Sequence, residues 1–200
     1  SQNEIVFPAG ILQPPFYDKD ADAALNYGGI GAVIGHEFTH GFDDQGSKYD
    51  AEGNLKNWWT DADRAAFDER ANKVVEQFNG FEALDSVFVN GKLTLGENIA
   101  DLGGLILAYH AMEKSFDGNG VPEKIDGFTP QQRFFLGWAQ VWHMNMTEEE
   151  LRNRIITDPH SPGEYRVRGP LANLSEFSEA FGCDENSPMV AKDSARAVIW

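Results

Sequence analysis

Apolar residues recur at helical spacing along most of this chain, and polar, proline- or glycine-marked stretches separate the periodic segments. TDADRAAFDERANKVVEQF, residues 60–78, puts Ala66, Phe67, Val74 and Phe78 among the apolar positions of an amphipathic helix, with Thr60 placed to cap it. Residues 94–114 are apolar on most sides, the pattern of a buried helix. TPQQRFFLGWAQVWHMN opens with Thr129, Pro130 and Gln132, a capping box with proline at the first helical position. TEEELRNRII repeats the capping logic with Thr147 and Glu150, and NLSEFSEAFG is a short last helix closed by Gly182. A first helix over Ala23–Asp43 carries Gly28, Gly29, Gly31 and Gly35. Each glycine costs about 1 kcal/mol against alanine in a helix interior, so another backbone is expected close against this helix. Extended structure is minor. YDAEGNLKNWW reads as a turn with short extended pieces, and VFVNGKL holds an Asn-Gly turn signal between short apolar runs. The proline-rich start, IVFPAGILQPPFY, is expected to run extended against the core. The pattern predicts one mainly α domain with minor β over residues 1–200.

Composition narrows the function more than the fold. Two hundred residues suffice for one core, and no run of ~18 apolar residues predicts a membrane-spanning helix. SQNEIVFPAG lacks the charged start and apolar stretch of a signal peptide. The net charge of −16 fits a soluble surface or cationic partners; with no basic patch, nucleic acid is excluded as an expected partner. The single cysteine, Cys183, provides neither an internal disulfide nor a thiolate pair for zinc.

The candidate chemistry lies in GAVIGHEFTHGFDDQG. His36 and His40, four residues apart, share one helix face and can reach one ion, with Glu37 between them. This is H-E-x-x-H, the zinc peptidase pattern; the alternative is a pair of ordinary helical histidines. The extended form H-x-x-G-x-x-H is excluded, because Asp43 and Gly46 occupy its last two positions. A glutamate from a second helix is the remaining common third ligand. TLGENIADLGG supplies Glu97, with Asp101 four residues later, able to accept the Nδ1 proton of a ligand histidine such as His36. Thr94 and Glu97 also spell a capping box, so Glu97 is either ligand or cap; Gly103 and Gly104 favour close helix approach. Three ligands would leave a fourth position open, the arrangement for hydrolysis with Glu37 as general base. His160, in the proline-bounded DPHSPGEYRV with Arg166 six residues on, is either an oxyanion donor or an ordinary loop histidine. His110 and His143, both expected in helices, read as structural or surface residues. Two rivals stand beside this reading: a non-catalytic module stabilised by zinc, which has no use for Glu37, and an aminopeptidase, for which no amine-binding acidic motif is evident.

NEIVFPAGILQPPF, LNYGGIGAVIGHEFTHGFDD, TLGENIADLGG, FFLGWAQVW, DPHSPGEYRV and FSEAFGC, in this order, resemble the C-terminal part of neprilysin and the endothelin-converting enzymes. The resemblance implies a thermolysin-like, glutamate-ligand zincin lobe that hydrolyses peptides on the amino side of bulky hydrophobic residues. It implies one Zn²⁺ per chain on His36, His40 and Glu97, Glu37 as base, Asp101 behind a ligand, His160 as transition-state stabiliser and Arg166 on the substrate carbonyl. A hydrophobic pocket maps to Ile11, Phe16, Ala32, Val33, Val141 and Trp142. An extracytoplasmic setting follows from the same resemblance. Two features depart from it. The family's second helical lobe, and the Asn-Ala-x-Tyr/Phe edge strand that pairs with substrate, are not in this sequence. The expectation is therefore a piece of a longer architecture that self-associates or pairs with an N-terminal part. The second departure is the ending ARAVIW, which has Ala197 where disulfide-bonded members have the cysteine of Cys-x-Val-Trp.

Overall fold

The computed structural model describes residues 3–199; Trp200, the last residue of that ending, lies outside them. The elements in chain order are α1 (Ala23–Asn26), α2 (Ala32–Thr39), α3 (Asp61–Asn79), an antiparallel pair β1 (Glu82–Leu84) and β2 (Val87–Phe88), then α4 (Leu95–Ser115), α5 (Pro130–Val141), α6 (Glu148–Thr157), α7 (Gly163–Leu171) and α8 (Ser175–Phe181). The expected caps form. Thr60 accepts from the Asp63 N–H, Thr147 from the Glu150 N–H, and Thr129 with Gln132 closes a reciprocal box. Gly182 ends α8 in the left-handed region, at φ 64°.

α4 is the axis of the core. Ile99, Leu105 and Met112 on it are fully buried, against Phe67, Val74 and Phe78 of α3 and Phe134, Phe135 and Trp138 of α5. α2 crosses α4 where both lack side chains. A Cβ on Gly104 would lie 2.4 Å from the His36 nitrogen, and one on Gly28 would lie 1.9 Å from the Phe134 carbonyl oxygen of α5. The glycine-rich first helix thus meets the backbones its composition predicts. α2 has no room to slide on α4, which fixes His36 relative to Glu97.

Several expectations need correction. The first helical segment is broken by a wide π turn at Tyr27–Gly31, where the Ile30 N–H donates to the Phe16 carbonyl, and it ends in a tight 3₁₀ turn at His40–Phe42. The N-terminal stretch is folded into turns and mostly exposed, with Val6 at 72%. Its prolines and Gly10 favour turns over a strand, and no strand is there to pair with it among the described residues. The Asn90–Gly91 turn exists, but the β ribbon lies upstream of it and turns at Asp85–Ser86. α5 stops at Val141, so His143 lies outside any helix. The proline-bounded DPHSPGEYRV reads as loop, yet its second half opens α7, although Gly163, Gly169 and Pro170 lower the helical propensity there. It forms because tertiary contacts hold it: Trp138 Nε1 donates to the Arg166 carbonyl at 2.9 Å.

Candidate metal centre

His36 and His40 come from the end of α2 and the 3₁₀ turn after it; Glu97 comes from the first turn of α4. Their ligand atoms all lie within 4.8 Å of one another, so the three can hold one metal ion. His36 Nε2 is 3.2 Å from Glu97 Oε2, and His40 Nε2 is 3.5 Å from Glu97 Oε1. Ligands about 2.0–2.1 Å from a shared tetrahedral ion stand about 3.3 Å apart, so these spacings fit zinc. The remaining ring nitrogens are already engaged. His36 Nδ1 donates to Asp101 Oδ1 at 2.7 Å, and His40 Nδ1 to Asp43 Oδ2 at 2.7 Å. With Nδ1 so engaged, Nε2 of each ring faces Glu97 and is the nitrogen that can offer its lone pair to an ion. Glu97 Oε2 is buried and makes no hydrogen bond. A carboxylate oxygen in that state is costly unless a cation or donor fills the gap.

The capping alternative for Glu97 is excluded locally. Thr94 gives no side-chain cap. Its hydroxyl donates to the Asn90 carbonyl and accepts from Asn98 Nδ2, so the capping box does not form.

The electrostatics call for positive charge. Burial lowers the pKa of His36, but the carboxylates of Asp101 and Glu97 outweigh this and raise it to about 9. Burial pushes Glu97 up, and the surrounding His36, His160 and His40 hold it net below its usual range. Asp101 is fully enclosed; burial raises it, while the Arg166 guanidinium and His36 bring it down. Arg166 Nε and Nη2 grip both Asp101 oxygens, and its guanidinium lies 3.9 Å over the Trp142 ring.

Glu37 is exposed between the two buried or half-buried histidines. His160 sits on the loop between α6 and α7 with Nε2 3.2 Å from Glu97 Oε2, so it joins the cluster. The Ser161 hydroxyl donates to Asn98 Oδ1, tying that loop to α4. The pocket residues are placed unevenly. Trp142 shares a cleft of about 240 Å³ with His160 and Arg166. Ile11, Phe16 and Val33 are half-buried, Val141 is buried, and Ala32 is sealed in the core with no accessible surface. His110 is an exposed α4 residue 4.0 Å from Glu176. Two partners went unnoticed in the sequence, Asp43 behind His40 and Asp158, whose Oδ1 lies 2.7 Å from His160 Nδ1. Each had a local signal, an aspartate three residues after one histidine and two before the other.

The sequence profile described as Peptidase family M13 matches residues 1–197. Human endothelin-converting enzyme 1 is 51% identical over 191 residues, covering 94% of this chain and 25% of that protein. Neprilysin-11 of Caenorhabditis elegans is 44% identical, covering all of this chain and 24% of its own length. Among solved structures, the inhibitor complex of Mycobacterium tuberculosis zinc metalloprotease ZMP1 superposes with a TM-score of 0.95 at 50% identity, over 100% of this chain and 31% of that one. The chain thus spans about a quarter of the length of the curated relatives it matches.

Proposed function

Because the chain belongs to peptidase family M13, we propose that it carries the catalytic centre of a zinc-dependent endopeptidase acting on peptides. The observation that carries this reading is the convergence of His36, His40 and Glu97 around an unbonded, buried carboxylate oxygen, with Glu37 exposed beside them. In it His36, His40 and Glu97 hold one zinc ion. When bound, zinc supplies Lewis acidity, polarising the scissile carbonyl and acidifying water. Glu37 takes the water proton and passes it to the leaving amine. Asp101 and Asp43 keep the two ligand histidines in the tautomer with Nδ1 protonated. The His160 ring, protonated on both nitrogens with Nδ1 on Asp158, donates from Nε2 to the developing oxyanion. Arg166 is held rigid by Asp101 and the Trp142 ring, with Nη1 left to donate to a substrate carbonyl.

The proposed specificity is cleavage on the amino side of bulky hydrophobic residues, with Ile11, Phe16, Val33, Val141 and Trp142 around that side chain and Ala32 behind them. An extracytoplasmic setting belongs to the same proposal; among the described residues no helix is long and apolar enough to cross a membrane. The test is hydrolysis of a peptide series that varies the residue after the scissile bond. Phenylalanine and leucine should be preferred over glycine and aspartate, chelator should abolish turnover, and zinc should restore it. Chelator-insensitive hydrolysis would overturn the zinc reading; indifference to the varied residue would overturn the pocket.

A further inference from the structure

We propose that Arg154 is a positioning residue for His160 that acts through Asp158; the inference rests on the role given to His160 above. α6 ends at Thr157, and Arg154 in its last turn reaches Asp158, the first residue beyond the helix. Arg154 Nε donates to Asp158 Oδ2 at 2.7 Å, and Nη2 donates to the same oxygen. Oδ1 is left for the histidine: it accepts from the His160 backbone N–H at 2.9 Å and from His160 Nδ1 at 2.7 Å. One carboxylate thus joins a helix end to a site histidine, with a separate oxygen for each.

Two physical consequences follow. Burial raises the Asp158 pKa, but the His160 hydrogen bonds and the Arg154 guanidinium bring it down to about 2, so the group is ionised and the shared proton sits on Nδ1. His160 Nε2 then faces Glu97 Oε2 at 3.2 Å. Secondly, a carboxylate can turn about its Cβ–Cγ bond, a broad torsion, unless both oxygens are held. Arg154 holds the oxygen that His160 does not, and so fixes the plane on which the imidazole is hung.

The pair differs from the other i,i+4 ion pairs among the described residues, of which Arg64–Asp68 is 3.7 Å apart with Asp68 at 60% exposure. Arg168–Glu164 joins two exposed side chains, at 46% and 60%, and Arg152 approaches Glu148 only at 4.0 Å. Such exposed pairs contribute little. Asp158 is 19% exposed, and Arg154, His160, Trp142 and Arg166 line the same cleft of about 240 Å³.

The experiment uses the full chain and two readouts. The first is solvent exchange of the His160 Nδ1 proton, followed by NMR on the chain without added metal. It should be about tenfold faster in Arg154→Met and intermediate in Arg154→Lys, whose single ammonium replaces part of the fork. The second is turnover of the zinc-loaded chain. Arg154→Met should lower kcat about tenfold with KM nearly unchanged, and adding it to Asp158→Asn should lower kcat no further. A lower melting temperature with parental proton exchange would mark Arg154 as an ordinary helix-end clamp and overturn the proposal. Effects of Arg154→Met and Asp158→Asn that multiply would also overturn it, since they would then act separately. His160→Ala with parental turnover would instead remove the role of His160 on which the inference rests.

Discussion

Gly104→Ala probes how closely the centre depends on helix contact. The new Cβ would meet the His36 nitrogen at 2.4 Å, the Ala32 carbonyl oxygen at 2.7 Å and the His36 Cα at 2.8 Å. All three are backbone atoms, so no side chain can turn aside. Restoring an ordinary contact of 3.4 Å requires α2 and α4 to part by roughly 1 Å. Because α2 carries His36 and α4 carries Glu97, the same motion opens their 3.2 Å approach. Overpacking of this kind costs about 1–3 kcal/mol, which in a chain of this size lowers the melting temperature by about 2–12 °C. Zinc affinity should fall by about 10–100-fold, as when a ligand loses its support. The assay is chelator competition alongside thermal melting, with Gly41→Ala as control. Gly41 is next to a ligand histidine, yet its Cβ would meet nothing within 4 Å. Parental melting and zinc affinity in Gly104→Ala would refute the claim that close helix contact sets the ligand geometry.

Four further outcomes are expected. Asp101→Ala and Asp43→Ala should each weaken zinc binding by about 10–100-fold, and Glu97→Ala by more; chelator competition showing equal losses would mean that ligand and supporting carboxylate have been confused. Zinc affinity of the metal-free chain should rise about tenfold per pH unit from pH 7 towards 9, because the ion must displace a proton from His36, whose pKa is about 9; a flat profile by titration would contradict this. The His36 pKa is raised above its unfolded 6.5, so its stabilisation of the metal-free fold is complete below pH 6.5 and lost as pH rises through 9, a fall of up to about 3 kcal/mol measurable by urea melts. Ile34 and Phe38 on α2 are 48% and 56% exposed, which favours self-association, or pairing with a chain like the remainder of the relatives; light scattering should give a mass above one chain, and a clean monomer at assay concentration would contradict it.

The parts of the site visible in the sequence were those governed by local spacing. His36 and His40 are one helical turn apart, and the residues at 43 and 46 excluded the alternative third ligand. Glu97 remained divided between two roles, because a capping box and a ligand share one local pattern. The cap role falls only through Thr94, whose hydroxyl is taken by Asn90 and Asn98. The glycines of the first helix, with Gly103 and Gly104, announce the close approach to α4, but not the second close contact, of Gly28 with α5. α7 is not legible locally, since Gly163, Gly169 and Pro170 speak against a helix and packing against the rest of the fold decides. Ala32 was assigned to a pocket by resemblance, and its position on the α4 side of α2 places it in the core. Asp43 and Asp158 carry a local signal in their spacing from His40 and His160, but which carboxylate oxygen meets which partner appears only when the chain is folded.

The most direct test of the central claim is metal content and turnover of Glu37→Gln, measured on the same preparation. The substitution keeps the size of the side chain and removes only its capacity to take a proton. If His36, His40 and Glu97 hold a catalytic zinc and Glu37 is the base, the variant should retain one zinc per chain and the parental melting temperature. Its turnover should fall on the order of 10²–10⁴-fold. A variant that loses its zinc would show Glu37 to be a ligand. One that keeps both zinc and parental turnover would show that the base lies elsewhere.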